Sequence, residues 1–190
     1  AGEDGVADEV EETADVANRL QRDFCQGYVV CSNHDRHGER WMDELDWRQD
    51  LPNAEHFFEA WLSKIQAMKA GAPWTYAEWA LRKAGIDDAV IFLDQNKSFE
   101  MAGIEYSLHG DEGPNGARGS TRNLTKLGRK INKGHDHTAT IDHDVWSAGA
   151  CHLDFDYMTG PGSHSITHIL TYENGSRTMI TCWNGDYRAR

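Results

Sequence analysis

Histidines stand at the end of three short segments of this 190-residue sequence. The segments are "VVCSNHDRH" (29–37), "IEYSLHGDEG" (104–113) and "NKGHDHTAT" (132–140), and in each a β-like run leads into a polar loop. Neutral imidazole suits zinc, manganese or iron, and an asparagine carbonyl is a tolerable oxygen ligand. In an extended chain His135 and His137 would point to the same side and could bind one metal or two. The segments together indicate a metal site; the alternative is solvated loops that happen to contain histidine.

Positive charge is concentrated beside the last of these segments. The formal net charge is −12, which argues against binding of polyanions by the whole surface. Residues 118–133 ("RGSTRNLTKLGRKINK") nevertheless carry six bases and no acid. On a helix, five of these bases would share one face: Arg122, Lys126, Arg129, Lys130 and Lys133. This predicted basic helix makes Arg118, Arg122 and Lys126 candidates for phosphate binding, although the macrodipole alone also favours cations near a helix C-terminus.

Apolar residues at three- and four-residue spacing predict helices in the first half of the chain. One helix covers 6–24. A second covers 53–70, and we expect one apolar face of it to lie in the core: Phe57, Phe58, Trp61, Leu62, Ile65 and Met68. A third begins at a capping box formed by Thr75 and Glu78 and ends at Gly85. The tryptophans of these helices are predicted to be core residues rather than platforms on which bases stack.

The remainder of the chain reads as short strands. They are predicted in 27–32, in 89–93, as a strand, turn and strand in 99–110, and several times in 138–183. Asn174-Gly175 is a strong signal for a two-residue hairpin turn. A strand, several helices and then a run of strands predict an α/β or α+β fold in which helices cover a sheet.

Composition adds expectations about the setting. The four cysteines have no C-x-x-C spacing, which favours buried free thiols and a reducing, cytoplasmic environment. No apolar run approaches the roughly 18 residues that a membrane helix requires. The sequence opens at Ala1 in an acidic stretch, which indicates a processed or truncated piece.

The three histidine segments resemble the later motifs of the calcineurin-like metallophosphoesterases. "SNHD" is similar to that family's G-N-H-[DE] motif with Ser32 in place of Gly, "LHG" to its single-histidine motif, and "GHDH" to its G-H-x-H motif. The run "HGDEGPNGARGS" (109–120) further resembles a phage-encoded branch of the family. The resemblance implies an α/β fold, a metallophosphoesterase-like β-sandwich flanked by helices. Residues 1–190 would then be a single domain, the C-terminal part of a catalytic domain.

By position, the resemblance implies a set of metal ligands. Asn33, His109 and His135 would hold one metal, and His137 would hold the other. The complete site of this family holds two divalent ions, here manganese in preference to iron or zinc. Two cations roughly 3.5–4 Å apart activate a bridging water and clamp the phosphoryl oxygens for in-line attack.

The same resemblance implies a proton donor. His34 would lie near the leaving group, as general acid or transition-state stabiliser, and Asp35 would orient it through a hydrogen bond. His37, three residues later, is a weaker candidate for the same cleft. His143 is predicted to sit in a hairpin turn, and His164 is read as a structural residue that shares a strand face with His168.

The family's D-x-H and G-D-x-x-D motifs are absent upstream of "SNHD". Either the N-terminal βαβ portion is missing from this chain, or a second polypeptide supplies it, or the chain is an inactive relative. We expect a metal-dependent phosphodiesterase that acts on nucleic acid, with little or no turnover by this chain alone. The alternatives are an inactive module that binds phosphate or nucleic acid, and a nucleic-acid-binding protein without metal.

Overall fold

The structure, a computed structural model, falls into two compact units. It describes residues 5–21, 25–94, 96–151 and 161–189. Unit 1 comprises Ala1–Val29 and Asn33–Phe92, and unit 2 comprises Val30–Ser32 and Leu93–Arg190. The mixture of helices and sheets confirms the predicted α/β class. The metallophosphoesterase-like β-sandwich and the single domain stay predictions.

Unit 1 is mostly helical. Its helices are α1 (Val6–Leu20), α2 (Asp35–Glu44), α3 (Ala54–Ala70) and α4 (Tyr76–Lys83). Two 3₁₀ turns, Trp47–Gln49 and Leu51–Asn53, lie between α2 and α3. The strands β1 (Tyr28–Val30) and β2 (Ile91–Leu93) pair in a two-stranded sheet at the boundaries of the unit.

Local sequence signals account for three of these helices. The predicted helices α1, α3 and α4 are confirmed, although α1 ends at Leu20 and the predicted Phe24 lies outside the described residues. Thr75 caps α4 by accepting a hydrogen bond from the Glu78 amide at 3.3 Å. Gly85 follows that helix with a φ of +86°. The prediction of a strand and then a loop in 29–37 holds as far as His34, which lies in a turn, and is wrong beyond it, because Asp35 begins α2.

The core of unit 1 is aromatic. Its larger cluster buries Met42, Phe57, Ala60, Tyr76 and Ala80, and the partly buried Trp41, Trp47, Trp61, Trp74 and Trp79 pack against them. The prediction that Trp61, Trp74 and Trp79 are core residues is therefore confirmed. Edge-to-face ring pairs in such a core contribute about 0.5–1.5 kcal/mol each beyond the burial of their area. A second, aliphatic cluster buries Ala14, Ile86 and Val90.

The predicted apolar face of α3 was too wide. Phe57 is buried as expected, but Phe58, Leu62, Ile65 and Met68 are 50%, 57%, 41% and 70% exposed. The helix packs on its neighbours with the side that carries Phe57 and Ala60. Adjacent residues on a helix point about 100° apart, so a single contact face cannot bury both Phe57 and Phe58 fully.

Unit 2 is built on two sheets. The first has the strand order β3-β4-β5-β7-β6, with β3 (Glu100–Met101), β4 (Ile104–Glu105), β5 (Ile131–Lys133), β6 (Thr140–Asp142) and β7 (Val145–Ser147). In it β5 runs parallel to both β4 and β7, and the outer pairs are antiparallel. The second is antiparallel, with the order β10-β9-β8, where β8 is Thr167–Thr171, β9 is Arg177–Trp183 and β10 is Asp186–Ala189.

The hairpin between β8 and β9 has a three-residue loop rather than the predicted two-residue turn. The Tyr172 amide donates to the Ser176 carbonyl at 2.9 Å, and the Gly175 amide donates to the Tyr172 carbonyl at 2.9 Å. Gly175, with a φ of +76°, is the residue in the left-handed region, whereas a two-residue turn of this kind needs both central residues there.

The predicted basic helix is wrong for most of its length. The helix α5 covers Thr121–Leu124, and a 3₁₀ turn follows at Thr125–Leu127. Gly128 then adopts a φ of +64° and ends the helical segment, after which Ile131–Lys133 forms β5 in the middle of the sheet. Pairing with β4 and β7 therefore overrides the helical pattern that the charges suggested.

The cysteines and the helices bear on the expected setting. All four cysteines are free thiols, and Cys25 and Cys151 are exposed, which contradicts their predicted burial. Among the described residues, no helix is both long and apolar enough to cross a membrane.

Candidate functional site

His109 and His135 lie together at one edge of the five-stranded sheet. They follow β4 and β5, which are parallel neighbours, so both leave the carboxyl ends of adjacent strands. Their ring centroids are 5.2 Å apart and the rings are nearly perpendicular, at 76°. The Gly134 amide donates to the His109 carbonyl at 3.1 Å and holds the two segments side by side. The structure thus brings together two of the four predicted ligands.

The "GHDH" loop is not extended, as the prediction had assumed. His135 and His137 have φ values of +73° and +49°, in the left-handed region. The Asp136 amide donates to the Gly134 carbonyl at 3.0 Å, and the Thr138 amide donates to the Asp136 carbonyl. Residues other than glycine rarely adopt this conformation, which costs about 1 kcal/mol or more and persists where the surroundings enforce it. Such backbone strain is enriched at functional sites.

A buried ion pair enforces this loop conformation. The Lys133 side chain is fully buried, and its Nζ donates to the Gly134 carbonyl at 2.7 Å and to Asp136 Oδ2 at 2.8 Å. Thr121 Oγ1, at the start of α5, donates to the same Asp136 oxygen at 2.7 Å. Ser147 Oγ on β7 donates to the Gly134 carbonyl at 3.2 Å. The loop is therefore held from three elements.

The ion pair also fixes the charge states of its members. Burial acts to raise the pKa of Asp136, but the hydrogen bonds from Lys133 and Thr121 outweigh it and hold that pKa below its usual value. Burial lowers the pKa of Lys133, and the Asp136 carboxylate opposes this effect. The Asp136 carboxylate is thus engaged with internal donors. Lys133 itself was missed from the sequence because it had been assigned to the basic helix.

His137 has a different neighbour from the one predicted. Its ring centroid lies 5.5 Å from that of His164, and the Ser165 amide donates to the His137 carbonyl at 3.4 Å. His164 precedes β8 and is not part of it, so the predicted strand face shared with His168 was wrong. The pairing joins segments 27 residues apart that share no local pattern, and nothing in the sequence identified it.

The two histidine pairs fit parts of a metal site. Each pair offers two imidazoles, whereas a zinc-type site takes about four ligands. Among the residues that the structure describes, no group of three or more His, Cys, Asp or Glu side chains is arranged to hold a metal ion. A complete site would need further donors beside these imidazoles.

Asn33, His34 and Asp35 belong to unit 1, whereas the other predicted ligands belong to unit 2. His34 is exposed and precedes the first turn of α2, which Asp35 begins. The ring of His37, in that first turn, lies 5.1 Å from the ring of His34. The convergence of all the ligands on one pocket stays a prediction.

The three candidate phosphate-binding residues, Arg118, Arg122 and Lys126, are exposed. They do not share the long basic face that had suggested their role. Arg122 follows Thr121, which is bonded to the "GHDH" loop, so α5 carries it beside that loop. Arg129, from the same basic segment, instead donates to the buried Glu105 at 3.1 Å.

Comparison with known proteins gives one informative match. The chain is similar to Protein A1 of Escherichia phage T5, with 42% identity over 195 residues that cover all of this chain and 35% of that protein. It therefore spans about a third of the length of the curated relative that it matches. No family model matches the chain. No solved structure matches it either.

Proposed function

We propose that this chain is part of a metal-dependent phosphoesterase that cleaves phosphodiester bonds in nucleic acid. The observation that supports this most is the contact between His109 and His135 at the ends of adjacent parallel strands. The resemblance assigns these two residues to the same metal, although they are far apart in sequence. The strained, rigidly held loop that carries His135 supports a functional role for the same edge.

Each predicted site residue has a stated task in this proposal. Asn33, His109 and His135 would hold one divalent cation, and His137 would hold a second one. Bound cations would supply an activated water and charge stabilisation at the phosphoryl group. Lys133 and Asp136 keep the ligand loop in one conformation, and exposed Arg118, Arg122 and Lys126 meet phosphate oxygens through charge-assisted hydrogen bonds. His34 donates a proton to the leaving oxygen, and Asp35 orients its imidazole.

A second candidate is a binding module without catalysis. It is favoured by the incomplete donor set, since no group of three or more metal-binding side chains occurs within the described ranges. In that case the exposed bases of residues 118–126 would hold nucleic acid. The donors that complete a catalytic site would have to come from residues outside those described or from a partner chain.

The test begins with metal binding. Calorimetric titration with Mn²⁺ and Zn²⁺ compares the native chain with His109→Ala and His135→Ala. The matched control is His143→Ala, whose side chain is 85% exposed in a turn of the same unit. We expect binding to the native chain and to the control, and loss of at least about tenfold in affinity in the other two variants.

Hydrolysis of bis(p-nitrophenyl) phosphate with added Mn²⁺ then separates the two candidates. A native chain that hydrolyses the diester, with loss of about 10²-fold or more in His34→Ala, supports the enzyme. Because we expect little or no turnover by this chain alone, metal binding without hydrolysis supports the binding module when a longer polypeptide that also carries the D-x-H and G-D-x-x-D motifs is inert as well. If the native chain binds neither metal, the metallophosphoesterase proposal is wrong.

A further inference from the structure

A groove in unit 1 lies between α1, α2 and α4, on the side of α2 that carries His34. Its volume is about 580 Å³. Sites for small organic ligands commonly enclose about 300–1,000 Å³, so the groove has room for a nucleoside. Val6, Val10, Ala77, Ala80 and Leu81 supply much of its apolar wall.

Two aromatic rings line the groove, and each makes a hydrogen bond to a residue that does not line it. The Trp41 Nε1 donates to Asp50 Oδ2 at 3.2 Å. The Tyr76 hydroxyl lies 2.9 Å from the buried His56 Nε2, and the Tyr76 ring is only 7% exposed. The Tyr76 ring packs against Gly38 and forms part of the floor, so the partly buried Trp41 ring is the aromatic face that the groove exposes. Such surfaces bind flat aromatic groups by stacking, whatever the base.

The rim of the groove carries acceptors and imidazoles. Glu9 and Thr13 come from α1, and His34, Asp35 and His37 come from the start of α2. Among the described residues that line the groove, none is Lys or Arg. A phosphate group would therefore meet carboxylates without a compensating cation, whereas an exocyclic amino group would find hydrogen-bond acceptors.

We propose that this groove binds a nucleobase that carries an exocyclic amino group. The aromatic surface and the absence of cations along the lining select a base over a phosphate. Recognition of the base is independent of the proposed metal site, because every described residue that lines the groove belongs to unit 1.

The experiment measures nucleoside binding to the native chain in the absence of metal. Adenosine and cytidine carry the amino group, uridine lacks it, and ribose 5-phosphate carries phosphate without a base. Ligand-observed NMR with calorimetry compares the native chain with Glu9→Lys, which lines the groove. Glu12→Lys is the matched control, because it makes the same charge change at an exposed position of the same helix that does not line the groove.

We expect adenosine and cytidine to bind with dissociation constants of about 1 mM or lower, and uridine to bind more weakly. Glu9→Lys should weaken adenosine binding by about tenfold, while Glu12→Lys leaves it unchanged. The proposal is overturned if adenosine does not bind the native chain, if Glu9→Lys binds it as well as the control does, or if ribose 5-phosphate displaces it. Circular dichroism verifies that both variants fold.

These outcomes are separable from those of the proposed function, because they need neither metal nor turnover. Adenosine binding without metal binding would retain the groove as a base site and overturn the proposed metal site. Diester hydrolysis without adenosine binding would retain the enzyme and overturn the base site.

Discussion

The two units of this chain are stabilised by different interactions. Among the residues that the structure describes, unit 1 buries one polar side chain, His56, against a cluster of aromatic and aliphatic residues. Unit 2 buries seven polar or charged residues: Glu105, Ser107, Thr121, Asn132, Lys133, Ser147 and Thr167. An apolar core tolerates substitutions of similar volume, whereas a buried polar group depends on particular partners. Unit 2 is therefore the more specifically organised region, and it carries the paired histidines.

The largest expected effect tests this difference at Glu105. The carboxylate is 2% exposed and accepts hydrogen bonds from the amides of Phe99, Tyr106 and Ser107 at 3.0, 3.0 and 2.9 Å. It also pairs with Arg129 at 3.1 Å. Replacement Glu105→Ala leaves the Phe99 and Ser107 amides without this acceptor, whereas the Tyr106 amide keeps the Phe99 carbonyl as an acceptor at 2.9 Å. We expect a loss of about 3–5 kcal/mol in the free energy of unfolding, since each buried donor left unsatisfied costs about 1–3 kcal/mol and the ion pair is lost as well. Urea titration followed by circular dichroism measures it.

Glu100→Ala is the control for this prediction. Glu100 also approaches Arg129, at 3.7 Å, but its side chain is 53% exposed. Exposed ion pairs contribute about 1 kcal/mol or less, so this variant should unfold almost as the native chain does. If the two variants lose equal free energy of unfolding, the burial of Glu105 is not the cause of the destabilisation.

The second prediction concerns the ion pair beneath the "GHDH" loop. Lys133→Met keeps an apolar side chain of similar length in the interior but removes the ammonium group that donates to Asp136. Of the two side-chain donors to Asp136 Oδ2 described above, Thr121 then remains. We expect the free energy of unfolding to fall by about 1–3 kcal/mol, and metal affinity to fall with it because His135 loses its support. Lys130→Met, three residues earlier and exposed, is the matched control.

The double variant Lys133→Met/Asp136→Asn sharpens that result. Removing both charges of a buried pair is less costly than removing one, so the double variant should recover part of the stability lost in Lys133→Met. A double variant whose loss equals the sum of the two single losses would show that the residues act independently.

In unit 1 the corresponding test is steric. A Cβ added to Gly38 on α2 would lie 2.0 Å from the Cδ1 atom of Tyr76 on α4. Helix propensity alone favours Gly38→Ala by about 1 kcal/mol, but overpacking of a rigid ring costs about 1–3 kcal/mol. We therefore expect a net destabilisation in thermal unfolding, whereas Arg40→Ala, exposed on the same helix, should be neutral or slightly stabilising. Stabilisation by Gly38→Ala would mean that the two helices separate easily.

The sequence predicted unit 1 better than unit 2 for a physical reason. Amphipathic spacing and caps such as Thr75 are local, and α1, α3 and α4 follow from them. The helix α2 was missed because its residues, from Asp35 to Glu44, are mostly polar and include Gly38. The position of α2 depends on close packing of Gly38 against Tyr76, a residue on another helix that is distant in sequence.

Unit 2 depends on pairing between distant segments. Lys133 looked like part of a basic helix, and only the parallel pairing of β5 with β4 and β7 places it in the interior. The motif comparison predicted both His109 and His135, and the structure brings them together. The motif comparison gave no reason to expect His164 beside His137, because His164 belongs to none of the three histidine segments.

The smallest expected effect is a difference in acid sensitivity between the units. Burial lowers the pKa of His56, with Lys83 adding to the shift and Glu59 opposing it. Burial acts to raise the pKa of Glu105, but hydrogen bonds from Ser98 and from the Ser107 and Phe99 amides lower it to about 2. Both shifts reduce stability as pH falls, since the unfolded chain then binds more protons than the folded chain.

The two shifts act in different pH windows. The loss at His56 begins below the ordinary histidine pKa of about 6.5, whereas the loss at Glu105 falls between about pH 4.5 and pH 2. Tryptophan fluorescence reports mainly on unit 1, which holds five of the seven tryptophans in its core. Between about pH 7 and pH 5, urea midpoints followed by this signal should therefore fall in the native chain, and His56→Gln should flatten the change. The exposed His143→Gln should leave the native slope intact, and the same slope in His56→Gln would place the titrating group elsewhere.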